Sequence, residues 1–299
     1  MMETITEFRG ELAALGAAWI WAIASTIYAG VGRQLPPMVL NLTKGLVAIA
    51  LILLTLRLRG DSLPGTTPLT LGLLMGSGII GIGIGDTAFF EALNSLGARR
   101  ALLMEALAPP LTTLLALVLL SEMLDWRAYL GIVLTVAGVA WVIVERTPDA
   151  DANKLHLKQG IGFGLVAALC QATGAVMSRA ALADTAISPL WSSLIRLAAG
   201  SGVLVLWLAV QRQHLAGFKP LRSPRLFAII ASTAFASTFL AIWLQQTALK
   251  FTAAGIAQAL SATSPLFVLP IAALLGDRVS LRAVAGVLIA LGGIWLLFS

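Results

Sequence analysis

The sequence predicts an all-α integral membrane protein, with ten transmembrane helices arranged as two inverted five-helix repeats. Three observations lead there: an apolar composition, ten segments of near-membrane length, and a ladder of residues that recurs between the two halves. Of 299 residues, 59% are hydrophobic and only 11% are charged, and mean hydropathy is +0.93. Soluble domains carry about a quarter charged residues. A chain this apolar has too few polar groups to cover its own surface in water, so its surroundings are expected to be a lipid bilayer.

The N-terminal MMETITEFRGE is polar, and no small-residue cleavage pattern follows it, so the first helix is expected to stay. Spanning a bilayer takes roughly twenty apolar residues. In order, the first five segments are Leu12–Gly32, Met38–Leu56, Leu69–Phe90, Ala101–Leu120 and Ala128–Val144. The second five are Gly160–Ser178, Leu190–Val210, Leu226–Gln246, Gly255–Leu275 and Ala283–Phe298. The polar stretch ERTPDADANKLHLKQ divides them, giving a first repeat over 1–145, a linker over 146–158 and a second repeat over 159–299.

At an offset of 155, Pro110 pairs with Pro265, Glu122 with Asp277, Arg127 with Arg282, Gly131 with Gly286 and Gly138 with Gly293. EALAPPLT therefore falls on LSATSPLF, which sets Glu105 against Leu260. Earlier in each half the offset is 152, pairing Lys44 with Arg196, each a lone cation in an apolar segment. Five spans end on the side opposite their start, so the second copy enters the membrane upside down. That arrangement recurs in secondary transporters, with the ligand site near the midplane where the halves meet. The Lys and Arg bias among the loops places both termini outside by the positive-inside rule, chiefly through the second half.

Prolines inside a span are tolerated beside other helices or a water-filled cavity. Pro109, Pro110 and Pro265 are therefore expected to bend the fourth and ninth segments, as gating hinges or as plain structural kinks. Intramembrane acids and bases default to function because charge is costly in lipid. Asp86, Glu91 and Glu105 are the candidates for coupling, against the simpler reading that they mark helix exits. Lys44 and Arg196 are read as snorkelling or as a structural salt bridge. Trp19, Gln171, Trp243, Gln246 and Ser261 are the candidate substrate contacts, with interhelical hydrogen bonding as the alternative. Trp141, Trp207 and Trp295 are read as interface anchors.

Several chemistries are excluded. GIGD (Gly83–Asp86) matches the GxGD signature of intramembrane aspartyl proteases, but that chemistry needs a second intramembrane aspartate to share a proton, and the other aspartates fall in loops or at helix edges. Packing by small residues is the competing reading of this glycine run. There is no HExxH and no GxxxxGK[ST], so neither a zincin nor a self-powered ATP pump is expected. No metal ligand set is apparent, no cofactor is expected, and the chain is not read as an enzyme. The formal charge of +6 is scattered among loops, so no nucleic acid partner is expected. The single cysteine, Cys170, excludes an internal disulfide.

EALNSLGARRALLMEALAPPL followed by SEMLDWRAYLGIVLTVAG resembles the EamA repeat of the drug/metabolite transporter superfamily. So does QTALKFTAAGIAQALSATSPL followed by GDRVSLRAVAGVLIALGG. The shared pattern is AL…A…P in the fourth segment, then an acid, four residues, Arg and a glycine entering the fifth. The resemblance covers nearly the whole chain and implies a central cavity lined by the first, third, fourth, sixth, eighth and ninth segments. Within the superfamily the chain looks most like YddG-type bacterial exporters of aromatic and other apolar amino acids. The resemblance thus implies a secondary-type exporter of small amphiphilic metabolites, working by alternating access in a bacterial inner membrane, with a functional monomer. A carrier of sugars, nucleotide sugars or drugs on the same fold, and a non-transporting membrane receptor, are the alternatives.

Overall fold

The computed structural model describes residues 8–31, 34–145, 154–210, 215–267 and 281–298. These residues are helical throughout apart from turns, with no strand among them. The first half holds α1 (Arg9–Val31), α2 (Pro37–Arg59), α3 (Pro68–Ser77), a π-helical stretch (Gly78–Asp86), α4 (Thr87–Glu105), α5 (Ala108–Leu120) and α6 (Trp126–Glu145). The second holds α7 (Lys154–Leu182), α8 (Pro189–Val210), a 3-10 stretch (Leu215–Arg222), α9 (Pro224–Ala234), a second π stretch (Phe235–Leu240), α10 (Ala241–Phe251), α11 (Ala254–Ser261) and α12 (Leu281–Leu297).

Among the described residues, five stretches are long and apolar enough to cross a bilayer: Pro37–Arg59, Pro68–Leu96, Leu157–Leu182, Pro189–Val210 and Pro224–Phe251. Ala108–Leu120, Trp126–Trp141 and Leu281–Leu297 are shorter apolar helices. Helix starts follow simple rules. Pro37, Pro68, Pro189 and Pro224 each open a helix, where a missing N–H costs nothing and the fixed φ is already helical. Thr67 and Ser223 cap the next turn by accepting from the amides of Thr70 and Leu226 at 3.2 and 3.4 Å. Gly60 closes α2 at φ 66°, a left-handed cap that glycine adopts without steric cost.

These starts also give the register of the two halves. Pro37 and Pro189 differ by 152, as Lys44 and Arg196 do. Thr67-Pro68 and Ser223-Pro224 differ by 156, and the two π stretches overlap at the same shift.

The expected bends are present but lie one turn earlier than the prolines themselves. The ladder breaks at Ala106–Leu107, and Pro109 and Pro110 then sit in the first turn of α5. Likewise α11 stops at Ser261, turns through Ala262–Thr263, and helix resumes at Ser264 with Pro265 second. The breaks are 156 apart. Backbone geometry therefore sets Pro109, not Pro110, against Pro265, and Glu105 against Ser261 rather than Leu260. The rest of the ninth segment, beyond Phe267, lies outside the described residues, as does most of the linker.

The third and fourth predicted segments also join differently from expectation, because helical backbone continues from Pro68 to Glu105 without a non-helical loop. A straight helix from Gly81 to Glu105 would hold those residues roughly 36 Å apart. Yet Gln171 lies 3.8 Å from where a Cβ on Gly81 would be and within hydrogen-bonding reach of Glu105. The chain therefore folds back on itself inside α4.

Most packing runs between the halves rather than within them. Residues of α6 pack on α12, α5 on α11, α2 on α8, α1 on α10, and α4 with its π stretch on α7. The first three contacts join segments that correspond in the two copies, and the last two are one contact repeated in each copy, as expected about a pseudo-two-fold axis. The α6–α12 crossing shows why glycine recurs there. A Cβ on Gly131 would strike the Gly293 carbonyl at 2.9 Å, and one on Gly138 would strike the Gly286 carbonyl at 2.6 Å. Without a hydrophobic drive between helices in lipid, such close backbone approach is what holds them together. Outward faces carry large apolar side chains, among them Leu58, Val118, Trp141, Trp207 and Trp295.

Candidate functional site

A cavity of about 350 Å³ lies between the halves. Its lining is pseudo-symmetric. At a shift of 156, Ile82 corresponds to Thr238, Asp86 to Ile242, Phe89 to Gln245, Leu102 to Gln258, Glu105 to Ser261 and Pro109 to Pro265, and every one of these residues lines the cavity. Lys44 and Arg196, the pair at 152, line it too. Trp21, Ala24, Ser25 and Tyr28 of α1 complete one wall, and Gln171 of α7 contributes to another.

The π stretches prepare the polar part of the wall. Widening a helical turn frees carbonyls from the ladder, and such turns are frequent at functional sites. Asn41 Nδ2 donates to the Ile82 carbonyl at 2.8 Å, and Trp21 Nε1 donates to the Ser237 carbonyl at 3.0 Å. Tyr28 and Ser237 share a hydrogen bond of 3.1 Å between their hydroxyls. One freed carbonyl in each half is thus met by a side chain from α1 or α2.

Four charged side chains face the cavity. Lys44 Nζ and Asp86 Oδ2 form a salt bridge of 2.6 Å, and the same ammonium lies 5.0 Å from the centre of the Phe90 ring. Arg196 is only 3% exposed. Its Nε donates to Ser77 Oγ at 2.9 Å, while its Nη1 is buried without a partner. Glu105 meets Gln171. Ser261 Oγ is buried and unpartnered, and Gln245 Nε2 donates to Gln258 Oε1 at 3.4 Å. Arg196 Nη1 and Ser261 Oγ are thus left without partners in residues that line the cavity.

The opposite end is sealed. Ala13, Ala14, Ala248, Ala254, Ala257 and Leu260 pack into one core. Arg179 Nε donates to Glu122 Oε1 at 2.6 Å, and its Nη1 donates to the carbonyls of Leu249 and Lys250 at 3.1 and 2.9 Å. Glu122 Oε2 accepts from the Ala254 amide at 3.0 Å. Lys250 Nζ donates to the carbonyls of Thr185 and Ile187 at 2.9 and 2.6 Å.

Of the residues expected from sequence to contact substrate, Gln171 and Ser261 reach the cavity and three do not. Trp19 is 54% exposed on the outer face. Trp21, two positions or about 200° further round the helix, points inward instead. Trp243 is half-buried in a cluster with Phe239, whose ring is 6.4 Å away. Gln246 is fully buried outside the cavity, where its Oε1 accepts from Ser192 Oγ at 2.8 Å; Gln245, one residue before, takes the cavity position. Pro109 and Pro265 line the cavity and Pro110 does not. Asp86 and Glu105 line it, whereas Glu91 lies outside its lining.

From sequence, Lys44 and Arg196 read as snorkelling or salt-bridged cations, and neither Trp21 nor Tyr28 stands among the expected substrate contacts. Two signals point the other way. The cations are matched across the repeat, and Trp21, Ala24, Ser25 and Tyr28 fall at the spacings of one helix face.

No curated protein matches the chain. A crystal structure of a protein sharing 16% identity superposes with a TM-score of 0.77 over 97% of each chain, a likeness that bears on fold alone. The model of the EamA-like transporter family matches twice, over residues 8–144 and 158–299.

Proposed function

The chain belongs to the EamA-like transporter family, with two EamA repeats in one multi-pass membrane protein, and on that premise we propose that it is a secondary-type exporter of small amphiphilic metabolites. Aromatic and other apolar amino acids are the proposed cargo, as in the YddG-type exporters it resembles. The ten predicted spans form two inverted five-helix repeats, 1–145 and 159–299 about the 146–158 linker, in a bacterial inner membrane, and one chain suffices for function. The single observation that carries this reading is the cavity between the repeats, with aromatic walls and a few open polar groups. A small cavity of that character suits a solute with one apolar and one polar end.

In this reading the helix breaks beside Pro109 and Pro265 act as paired hinges, with Pro110 stiffening the first turn after one of them. Opening the Glu122–Arg179 end while the cavity end closes would present the site to the other side. Asp86 and Glu105 are the proposed coupling acids. Glu91, outside the lining, is the weakest of the three. The test is flux of labelled phenylalanine into proteoliposomes, with and without an imposed pH gradient. Saturable flux competed by other apolar amino acids supports the reading. Absence of flux for every amino acid, in folded protein, contradicts the cargo.

A further inference from the structure

The two π stretches overlap at corresponding places in the repeats but are held differently. The first, Gly78–Asp86, is wedged between α7 and α8 by bare backbone. A Cβ on Gly78 would strike the Arg196 carbonyl, and one on Gly200 would meet the Gly78 carbonyl at 2.7 Å. One on Gly174 would lie 3.3 Å from the Gly81 Cα. Turning this stretch would drive its isoleucines into that backbone. The second, FASTFL (Phe235–Leu240), has no glycine. Two side chains of the cavity wall hold it instead. Trp21 Nε1 donates to the Ser237 carbonyl at 3.0 Å, and the Tyr28 hydroxyl shares a bond of 3.1 Å with Ser237 Oγ.

A π stretch holds one residue more than α-helix over the same span, because its bonds run from i to i+5. Tightening it to α pushes that residue forward. Every residue beyond then takes the place of its successor, about 100° round and 1.5 Å along. On α10 the consequences are specific. Gln245 leaves the cavity for the place of Gln246, whose amide accepts from Ser192 Oγ at 2.8 Å. Leu244 takes the place of Gln245 in the wall. Consecutive glutamines therefore keep the buried Ser192 partnered in either register, while the cavity loses an amide. At the far end Leu249 takes the place of Lys250, which draws the ammonium off the carbonyls of Thr185 and Ile187. Thr252 and Ala253 alone join α10 to α11, so the advance also reaches Ala254, whose amide donates to Glu122.

We propose that the second π stretch is a one-residue register switch between the cavity and the sealed end, with Trp21 as its positioning residue. A solute that draws the Trp21 indole away returns the Ser237 carbonyl to the helical ladder. Then α10 advances, Gln245 withdraws from the solute and the sealed end loosens. This inference rests on the cavity being the transport site.

The test compares the reactivity of Leu244→Cys and Gln245→Cys toward N-ethylmaleimide, each in the full reconstituted chain with Cys170→Ser. Leu244 packs with Ala17 and Ile20 of α1, outside the cavity lining, and reaches the cavity only in the advanced register. Trp21→Phe keeps a ring but cannot donate to Ser237. It is expected to raise the rate at Leu244→Cys about tenfold, by populating a minor state, with no rise at Gln245→Cys. Deleting the outward-facing Phe235 leaves no extra residue to push forward. It is expected to lower the rate at Leu244→Cys about tenfold, and to arrest phenylalanine flux in protein that still melts cooperatively. An unchanged rate at Leu244→Cys in the Trp21→Phe chain overturns the switch. So does a rise at both positions, which is general loosening, or full flux from the folded deletion chain. If the deletion fails to fold, the Trp21→Phe pair decides alone. These rates are read without solute, so absence of phenylalanine flux in the unaltered chain removes the cargo reading and leaves them to decide the switch.

Discussion

Two ion pairs of the same length sit at different levels of this molecule and have opposite surroundings. At the sealed end, Glu122 and Arg179 meet at 2.6 Å, and both find further partners: Arg179 reaches two carbonyls and Glu122 takes the Ala254 amide. In the cavity, Lys44 and Asp86 also meet at 2.6 Å, but their neighbours Arg196 and Ser261 keep buried polar atoms without partners. A buried network whose members are all satisfied fixes geometry, whereas one left partly open is costly unless something else completes it. The first is a latch between repeats; the second, on the function proposed above, is a site that a solute completes.

The largest expected effect breaks the latch. Arg179→Met removes one salt bridge and two backbone caps while leaving the part-buried Glu122 without its cation, which should cost about 2–3 kcal/mol. Thermal melting in detergent reads the loss, and a melting point unchanged from the parent would erase the distinction between the two pairs. Next in size is the α6–α12 crossing. Gly138→Val forces a side chain into the Gly286 backbone, and overpacking of this kind costs about 1–3 kcal/mol. It should lower the melting point without altering the selectivity of any flux that remains. Smaller in stability, but sharper in function, is Asp86→Asn. It strands Lys44 beside the cavity, and flux should fall far more than the melting point does. The smallest effect is the most diagnostic. Trp19→Ala on the outer face should change stability and flux little, within about 0.5 kcal/mol, while Trp21→Ala, two residues on, should reduce flux clearly. Equal loss in both would mean that the inward face of α1 has been misassigned.

How much of the molecule is legible in its sequence depends on which physical constraint wrote the signal. The bilayer dictates segment length and excludes stray charge, so the apolar segments and the matched Lys44 and Arg196 can be read directly. The repeat is legible as identities at 155, but the turns around Pro109 and Pro265 follow 156. A proline can sit one position along the first turn without moving the break, so matching Pro110 to Pro265 hides the correspondence of Glu105 with Ser261. Inward direction is the least legible feature. A soluble helix announces its buried face by polarity, but in lipid the outer face is as apolar as the inner. Trp19 and Trp21 therefore look alike in sequence, and only the carbonyl that the π stretch frees at Ser237 separates them. Gln245 and Gln246 pose the same problem: both are buried, and Ser192 claims one of them.

The central claim is that solute passes through the cavity that Ser25 lines. Its most direct test places a cysteine there, Ser25→Cys, in a Cys170→Ser background, and treats reconstituted protein with a membrane-impermeant maleimide before measuring phenylalanine flux. Modification is expected to abolish flux, and excess phenylalanine is expected to slow the modification. Full flux through protein shown to be modified at position 25 would contradict the claim.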